Sequence, residues 1–363
     1  MIFQKITTLV FASIFSANTL LAFPLQVNST SEYYVDSENF TVAAVRAAPA
    51  NWPEPFLNKN WTGVQFDLNK TVEYGVELIQ EASTNGANLI VFPECWFPGY
   101  PKGYDLNDWM STHLLNYVDN SLQVGSDNWN LLVQSAVDNK IYLSFGFSER
   151  TENLIFMAQA LIDPLGNVLV HRRKVRPSGT ERDIWSDGGL GGFEVKETPF
   201  GRWGLLECWE HFHPAMFLPV WAQSEDIHIG SWPYLPSINA SDALWWESAD
   251  VQIAAARFYA ANTNSYVVQA AVGTSNIFDS QANIIASIDA SVSLSDHPLL
   301  YATGINTTSF ADVQYNLASE SAWGVVESLN QSWPSSVPKI VSPYFNVKEN
   351  TIESFEETYP DSF

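Results

Sequence analysis

The chain has 363 residues, 46% hydrophobic and 14% aromatic, which is enough to bury a full core and argues against wholesale disorder. A formal charge of −23 argues against nucleic acid, which needs a basic surface to displace counterions, and against anionic membrane surfaces. An acidic globular protein that meets small neutral or cationic molecules fits best.

The first residues read as an address. Lys5 precedes the apolar run Ile6 to Phe15, and Ala22 is a cleavage point, so residues 1–22 are expected to be a signal peptide. The run is too short and interrupted to span a bilayer. Seven N-glycosylation sequons follow, at Asn28, Asn39, Asn60, Asn69, Asn239, Asn306 and Asn330. Beside that start they predict a secreted glycoprotein. The end, Tyr359 to Phe363, shows neither a retention signal nor an anchor segment, so release is expected.

Residues 23–40 are polar and predict an N-terminal arm. Thr41 to Val45 reads as a first strand, ending at Ala48-Pro49. From Asn69 to Ser83, Val72, Val76 and Ile79 recur at helical spacing, and Asn85-Gly86 stops the helix. Leu89 to Phe92 is a compact buried strand, which completes a strand–helix–strand unit of an α/β fold. Further strands are predicted at Tyr142–Phe147 and Ile155–Ile162, with a turn at Asp163-Pro164-Leu165-Gly166 leading into Val168–Val170. The opening logic then repeats: a strand reaches Cys208, a helix runs from Ala215 to Gln223, and Ile227–Ile229 is a strand ending at Ser231-Trp232-Pro233. After Ala271 the pattern weakens to scattered strands. One domain over 41–335, with a peripheral extension and a tail at 336–363, is the expected organisation.

Three segments carry chemistry. Glu94 ends Asn88-Leu89-Ile90-Val91-Phe92-Pro93, Lys174 sits in the cation cluster Arg172 to Arg176, and Cys208 ends an apolar strand ahead of a helix. Taken singly, each has a duller reading: a solvated carboxylate, a basic surface loop, a packed thiol. In the order Glu, Lys, Cys they point to a thiol hydrolase. Placement at a helix N-terminus predicts that Cys208 favours its thiolate. Cys95 is the only other cysteine. A single disulfide would join the two; a free reactive Cys208 with Cys95 packed beside Glu94 is the favoured reading, since a chain this long needs no staple.

Together these segments resemble the nitrilase superfamily, in its nitrilase branch. Gly86 to Glu94 continuing to Pro98-Gly99-Tyr100-Pro101 is similar to the family's glutamate segment. His171 to Arg182 with Trp185 is similar to its lysine segment, and Cys208-Trp209-Glu210-His211 with Pro214 to its nucleophile segment. The resemblance spans about residues 41 to 275. It implies a four-layer α-β-β-α sandwich with Glu94, Lys174 and Cys208 as catalytic triad. It also implies that Glu181 holds Lys174 and the attacking water, although pairing with Arg182 is the alternative. Cys208 would attack a nitrile carbon, Glu94 would act as base, and Lys174 with the Trp209 amide would stabilise the developing anion. No metal or other cofactor is required. Glu210 and His211 are candidates to support the site or to cap the turn, and Trp185, Trp209 and Trp232 to wall an apolar pocket or fill the core. The chain departs from the branch pattern at Thr151 to Met157 and at Leu205, Ala215 and Phe217, which bears on substrate shape and assembly surfaces. Secretory entry is also unusual for this branch. The expected partner is a small-molecule nitrile, with no nucleic acid and no membrane, and the expected assembly is a homodimer or higher homo-oligomer. A nitrile or cyanide hydratase, an amidase, and a secreted non-catalytic binding protein on the same fold are the alternatives.

Overall fold

The computed structural model describes residues 39–53, 61–102, 105–241, 243–307, 327–328, 330–336 and 347–363. The leader, nearly all of the arm, and the sequons at Asn28 and Asn60 lie outside these residues. Among the described residues no helix is long and apolar enough to cross a membrane.

Two six-stranded sheets face each other. The first contains β1 (Phe40–Val45), β2 (Leu89–Val91), β3 (Tyr142–Arg150), β4 (Ile155–Ile162), β5 (Val168–Arg173) and β12 (Leu299–Ile305), ordered β12-β1-β2-β3-β4-β5. The second contains β6 (Lys196–Thr198), β7 (Gly201–Glu207), β8 (Ile227–Leu235), β9 (Tyr266–Gly273), β10 (Ser275–Phe278) and β11 (Ile284–Ile288), ordered β11-β10-β9-β8-β7-β6. β1, β2 and β3 run parallel, as do β7, β8 and β9, and every other neighbouring pair is antiparallel. The two sheets therefore repeat one direction pattern.

Period-two alternation splits the central strands between two cores. Val42, Ala44, Leu89 and Val91 face the second sheet and meet Trp203, Leu205 and Ile229. Ala43, Val45 and Ile90 point outward, against α1 (Leu68–Thr84) and α3 (Asp127–Asp138). The second sheet is covered by α4 (Pro214–Trp221) and α5 (Ala249–Thr263). Helices on both outer faces complete the expected α-β-β-α sandwich.

α1 starts where Asp67 accepts a bond from the Lys70 amide at 3.0 Å, and it buries Val72, Gly75, Leu78, Ile79 and Ala82 along one stripe. The region after Ala271 is not peripheral where it is described. β10 and β11 extend the second sheet, and β12 pairs with β1 at the edge of the first. The last residues also dock on the body. Asn350 donates to Ser186 Oγ at 2.8 Å, and α6 (Ile352–Thr358) buries Ile352 and Phe355 in the cluster that holds Leu114 and Leu115 of α2 (Leu106–Asp119).

Candidate active site

Glu94, Lys174 and Cys208 follow β2, β5 and β7 respectively, each a few residues or less past the strand end. The sheets are tied together there. The Glu94 amide donates to the Trp232 carbonyl at 3.0 Å, and Ser231 Oγ donates to the Phe92 carbonyl at 2.9 Å. β3 passes under this turn at Gly146, where an added Cβ would lie 2.5 Å from the Pro93 oxygen and 2.8 Å from Glu94 Cα. Only a glycine permits that approach. Cys208 opens a five-residue 3-10 turn, Cys208–Phe212, with φ +38°, a left-handed conformation that costs a non-glycine residue about 1–3 kcal/mol.

Lys174 is the hub. Its Nζ donates to Glu94 Oε1 at 2.7 Å and to Glu181 Oε2 at 2.8 Å. Glu181 is held in turn by the Tyr100 hydroxyl at 2.8 Å and by the Ser178 amide at 2.6 Å. Glu181 thus bridges to Lys174 as the resemblance implies, and Arg182 pairs with Asp187 instead. The rest of the cation cluster is no surface loop. Arg172 binds Glu210 at 2.7 Å and Arg173 binds Glu149 at 2.6 Å. Glu210 also accepts from the Glu207 and Val175 amides, at 2.8 and 3.1 Å, which locks the turn that begins at Cys208 to the segment after Lys174.

Burial pushes the Glu94 carboxyl up to about 8, against the pull of Lys174 and with a further push from Glu181. Burial also works against the Lys174 ammonium, but Glu181 and Glu94 outweigh it and hold Lys174 well above its ordinary value. The two directions are compatible, because one ammonium faces two carboxyl groups and cannot neutralise both. Burial, then the Glu94 charge, raises the Cys208 thiol well above its usual value, and Lys174 offsets only part of this. The expected thiolate is therefore not the resting form. A single 3-10 turn also replaces the expected helix directly after Cys208, and α4 begins only at Pro214. Both cysteines are free and buried. Oε2 of Glu94 is buried and has no hydrogen-bond partner.

The thiol opens on a cavity of about 650 Å³, shared with Glu181, Trp209, Met216, Trp245, Trp246 and Gln252. Trp185 and Trp232 do not line it; both are wholly buried, Trp185 stacked on Tyr100 and Trp232 on His211. Of the three tryptophans considered as walls, only Trp209 serves. Glu210 and His211 stand behind Cys208, out of the cavity. Gln252 had no sequence signal. It contacts Cys208 Sγ at 4.0 Å, accepts from Trp232 Nε1 at 2.9 Å and donates to the Trp246 carbonyl at 2.6 Å. Lys102, bonded to the Tyr234 carbonyl at 2.8 Å, and the Trp245-Trp246 pair were likewise unmarked by any motif. Among the described residues no group of three His, Cys, Asp or Glu side chains is placed to hold a metal ion.

This two-sheet architecture sets a thiol, a bridged lysine and two carboxyl groups together at the ends of its strands. Residues 41–299 match the carbon-nitrogen hydrolase family model, and the chain belongs to that family. It is 37% identical to an arylacetonitrilase of Aspergillus kawachii over 56% of this chain and 63% of that protein. It is 34% identical to an aliphatic nitrilase of Rhodococcus rhodochrous over 64% of this chain and 60% of the relative. A cyanide hydratase of Alternaria brassicicola is 40% identical over 47% of this chain and 48% of its own length. The chain therefore spans less than two thirds of these curated relatives. Among solved structures, a carbon-nitrogen hydrolase from Helicobacter pylori aligns with TM-score 0.57 and 16% identity, over 76% of this chain and 92% of that one. An amidase from Nesterenkonia sp. aligns with TM-score 0.54 and 15% identity, over 76% and 94%. These two show the shared fold.

Proposed function

We propose that the protein is a nitrilase: it hydrolyses an organic nitrile to the carboxylic acid and ammonia, with Cys208 as nucleophile, Glu94 as base and Lys174 as the fixed cation. The observation that carries this reading is the Glu94–Lys174–Glu181 bridge set behind the one buried thiol that opens on the cavity. Ionised Glu94, through its unpartnered Oε2, takes the thiol proton while the sulfur attacks the nitrile carbon. Charge develops on the nitrile nitrogen, where Lys174 Nζ and the Trp209 amide, an N–H with no acceptor of its own in the first helical turn, stabilise it. Water adds to the thioimidate, ammonia leaves, and a second water hydrolyses the thioester. If the thiol left the tetrahedral species in place of ammonia, the product would be the amide.

The size and lining of the cavity favour an organic nitrile with an apolar or aromatic arm over cyanide, whose two heavy atoms would fill a small part of 650 Å³. Sequence similarity to the arylacetonitrilase and the aliphatic nitrilase supports the same substrate class. Product identification on a panel of nitriles, with and without prior thiol alkylation, tests the proposal. Acid plus ammonia, lost on alkylation, is the expected result. Amide as the main product would make this a hydratase, and turnover of amides but not nitriles would make it an amidase. Binding without turnover would leave the non-catalytic reading.

Secretion, N-glycosylation and homo-oligomerisation belong to the same proposal. Asn39, Asn69, Asn239 and Asn330 are exposed, which supports glycosylation. Glycosidase shifts on the secreted protein and light scattering test these points, with unmodified protein or a strict monomer as the contrary results.

A further inference from the structure

Behind the nucleophile's turn lies a buried chain of ionisable groups, separate from the Lys174 bridge. His211 Nδ1 lies 2.7 Å from the Cys208 carbonyl oxygen, and His211 Nε2 lies 2.9 Å from His228 Nε2. His228 Nδ1 is 2.9 Å from Glu225 Oε2, and the Tyr259 hydroxyl donates to Glu225 Oε1. All four side chains are buried.

Their protons can be counted from one end. A carbonyl oxygen only accepts, so His211 carries its hydrogen on Nδ1. In a neutral ring its Nε2 is then an acceptor, and His228 must donate to it from its own Nε2. His228 Nδ1 is left as an acceptor, so Glu225 must supply a proton from Oε2. Every donor then meets an acceptor, and all bonds point from Glu225 and Tyr259 toward Cys208. Moving the carboxyl proton onto an imidazole would create a charge pair in surroundings that oppose it. Trp232 stacks on His211 at 4.2 Å and Tyr259 packs on His228 at 3.9 Å, closing both rings off from water, and Arg172 disfavours a cation on either ring, against the pull of Glu210 and, at His211, of the Cys208 carbonyl. Burial holds both imidazoles well below their usual range and raises Glu225 to about 8. The strand that carries the nucleophile is also shaped for this carboxyl. At Gly204 of β7 an added Cβ would lie 2.1 Å from Glu225 Oε2.

We propose that Glu225, His228 and His211 are positioning residues for the nucleophile: a one-way hydrogen-bond chain, begun by a protonated carboxyl, that pins the Cys208 carbonyl and so holds the left-handed turn presenting the thiol to the cavity. The proposal rests on Cys208 being the nucleophile. Glu225→Gln replaces the carboxyl with an amide that can still donate to His228 and accept from Tyr259, whereas Glu225→Leu keeps the bulk and neither bond. The Leu variant is expected to lose at least about tenfold in kcat at unchanged KM, and the Gln variant to recover most of that loss. In the parent, nitrogen-15 NMR of the histidines, assigned with a His228→Gln protein, is expected to find His211 neutral and protonated on Nδ1, and His228 neutral and protonated on Nε2. A doubly protonated His228, or a Gln variant as impaired as the Leu variant, overturns the proposal. If the Leu variant does not fold, the tautomers in the parent decide alone. They need no turnover, so an inactive parent would refute the hydrolase reading without touching the chain.

Discussion

Lys174→Met keeps the side-chain length, removes the charge, and leaves two carboxyl groups facing each other in a buried site. In the parent both are held by one ammonium, at 2.7 and 2.8 Å. Removing one partner of a buried ion pair costs about 3–5 kcal/mol. At about 2.1 cal/mol/K of unfolding entropy per residue, roughly 300 residues give about 0.6 kcal/mol/K, so the melting temperature should fall by about 5–8 °C. The deficit must depend on pH. Glu94 already sits above its unfolded value, at about 8, so its contribution to stability is fully present below its ordinary value of 4.5 and is lost as pH rises through about 8. Without Lys174 its pKa rises further and its ionised form is penalised more. The variant should therefore melt below the parent throughout, by the least near pH 5 and by the most at about pH 8 and above. Loss of the fixed cation beside the developing nitrogen anion should lower kcat by about 10²–10³. Calorimetry at several pH values and ammonia release from a turned-over nitrile measure both effects. A variant that melts within about 2 °C of the parent at pH 8, or that keeps kcat within tenfold, would refute the role assigned to the bridge.

Cys208→Ala should fold and melt near the parent, yet lose at least about a thousandfold in kcat; activity within tenfold would remove Cys208 from the nucleophile role. Thiol titration of the denatured, unreduced protein should find both Cys95 and Cys208 free, and finding none with full activity would overturn the mechanism. The rate should rise with pH through the mildly alkaline range, as the raised Glu94 carboxyl ionises, with an apparent value that belongs to the Glu94–Cys208 pair. Glu94→Gln should stay folded and lose nearly all turnover at every pH; retention of the parent's rate and acid limb would make the carboxylate a bystander.

The central strands, and the placement of Glu94, Lys174 and Cys208 just past strand ends, were legible in the sequence, because both signals are local. Thr41 to Val45, Leu89 to Phe92 and Ile155 to Ile162 are apolar runs long enough to be buried on both faces, and nothing but a central strand satisfies them. Glu94, Lys174 and Cys208 stand out because each sits at the end of such a run or within an unusual charge cluster. α5 was missed because its buried stripe is made of Ala249, Gln252, Ala256, Tyr259, Ala260 and Thr263, residues whose composition does not separate a core face from a solvent face. β11 and β12 were blurred because edge strands keep one side in water, and β11 is mostly exposed. Only the tertiary structure decided which groups meet. It placed Gln252 from a distant helix against the thiol, turned Arg172 inward onto Glu210, paired half-buried Arg173 with Glu149, and closed Trp185 and Trp232 into the core while leaving Trp209 in the cavity. It also decided in which direction each ionisable group of the site is shifted. Spacing along the chain carries no information about burial, and burial, with one ammonium between two carboxyl groups, is what pushes Glu94 and Cys208 upward.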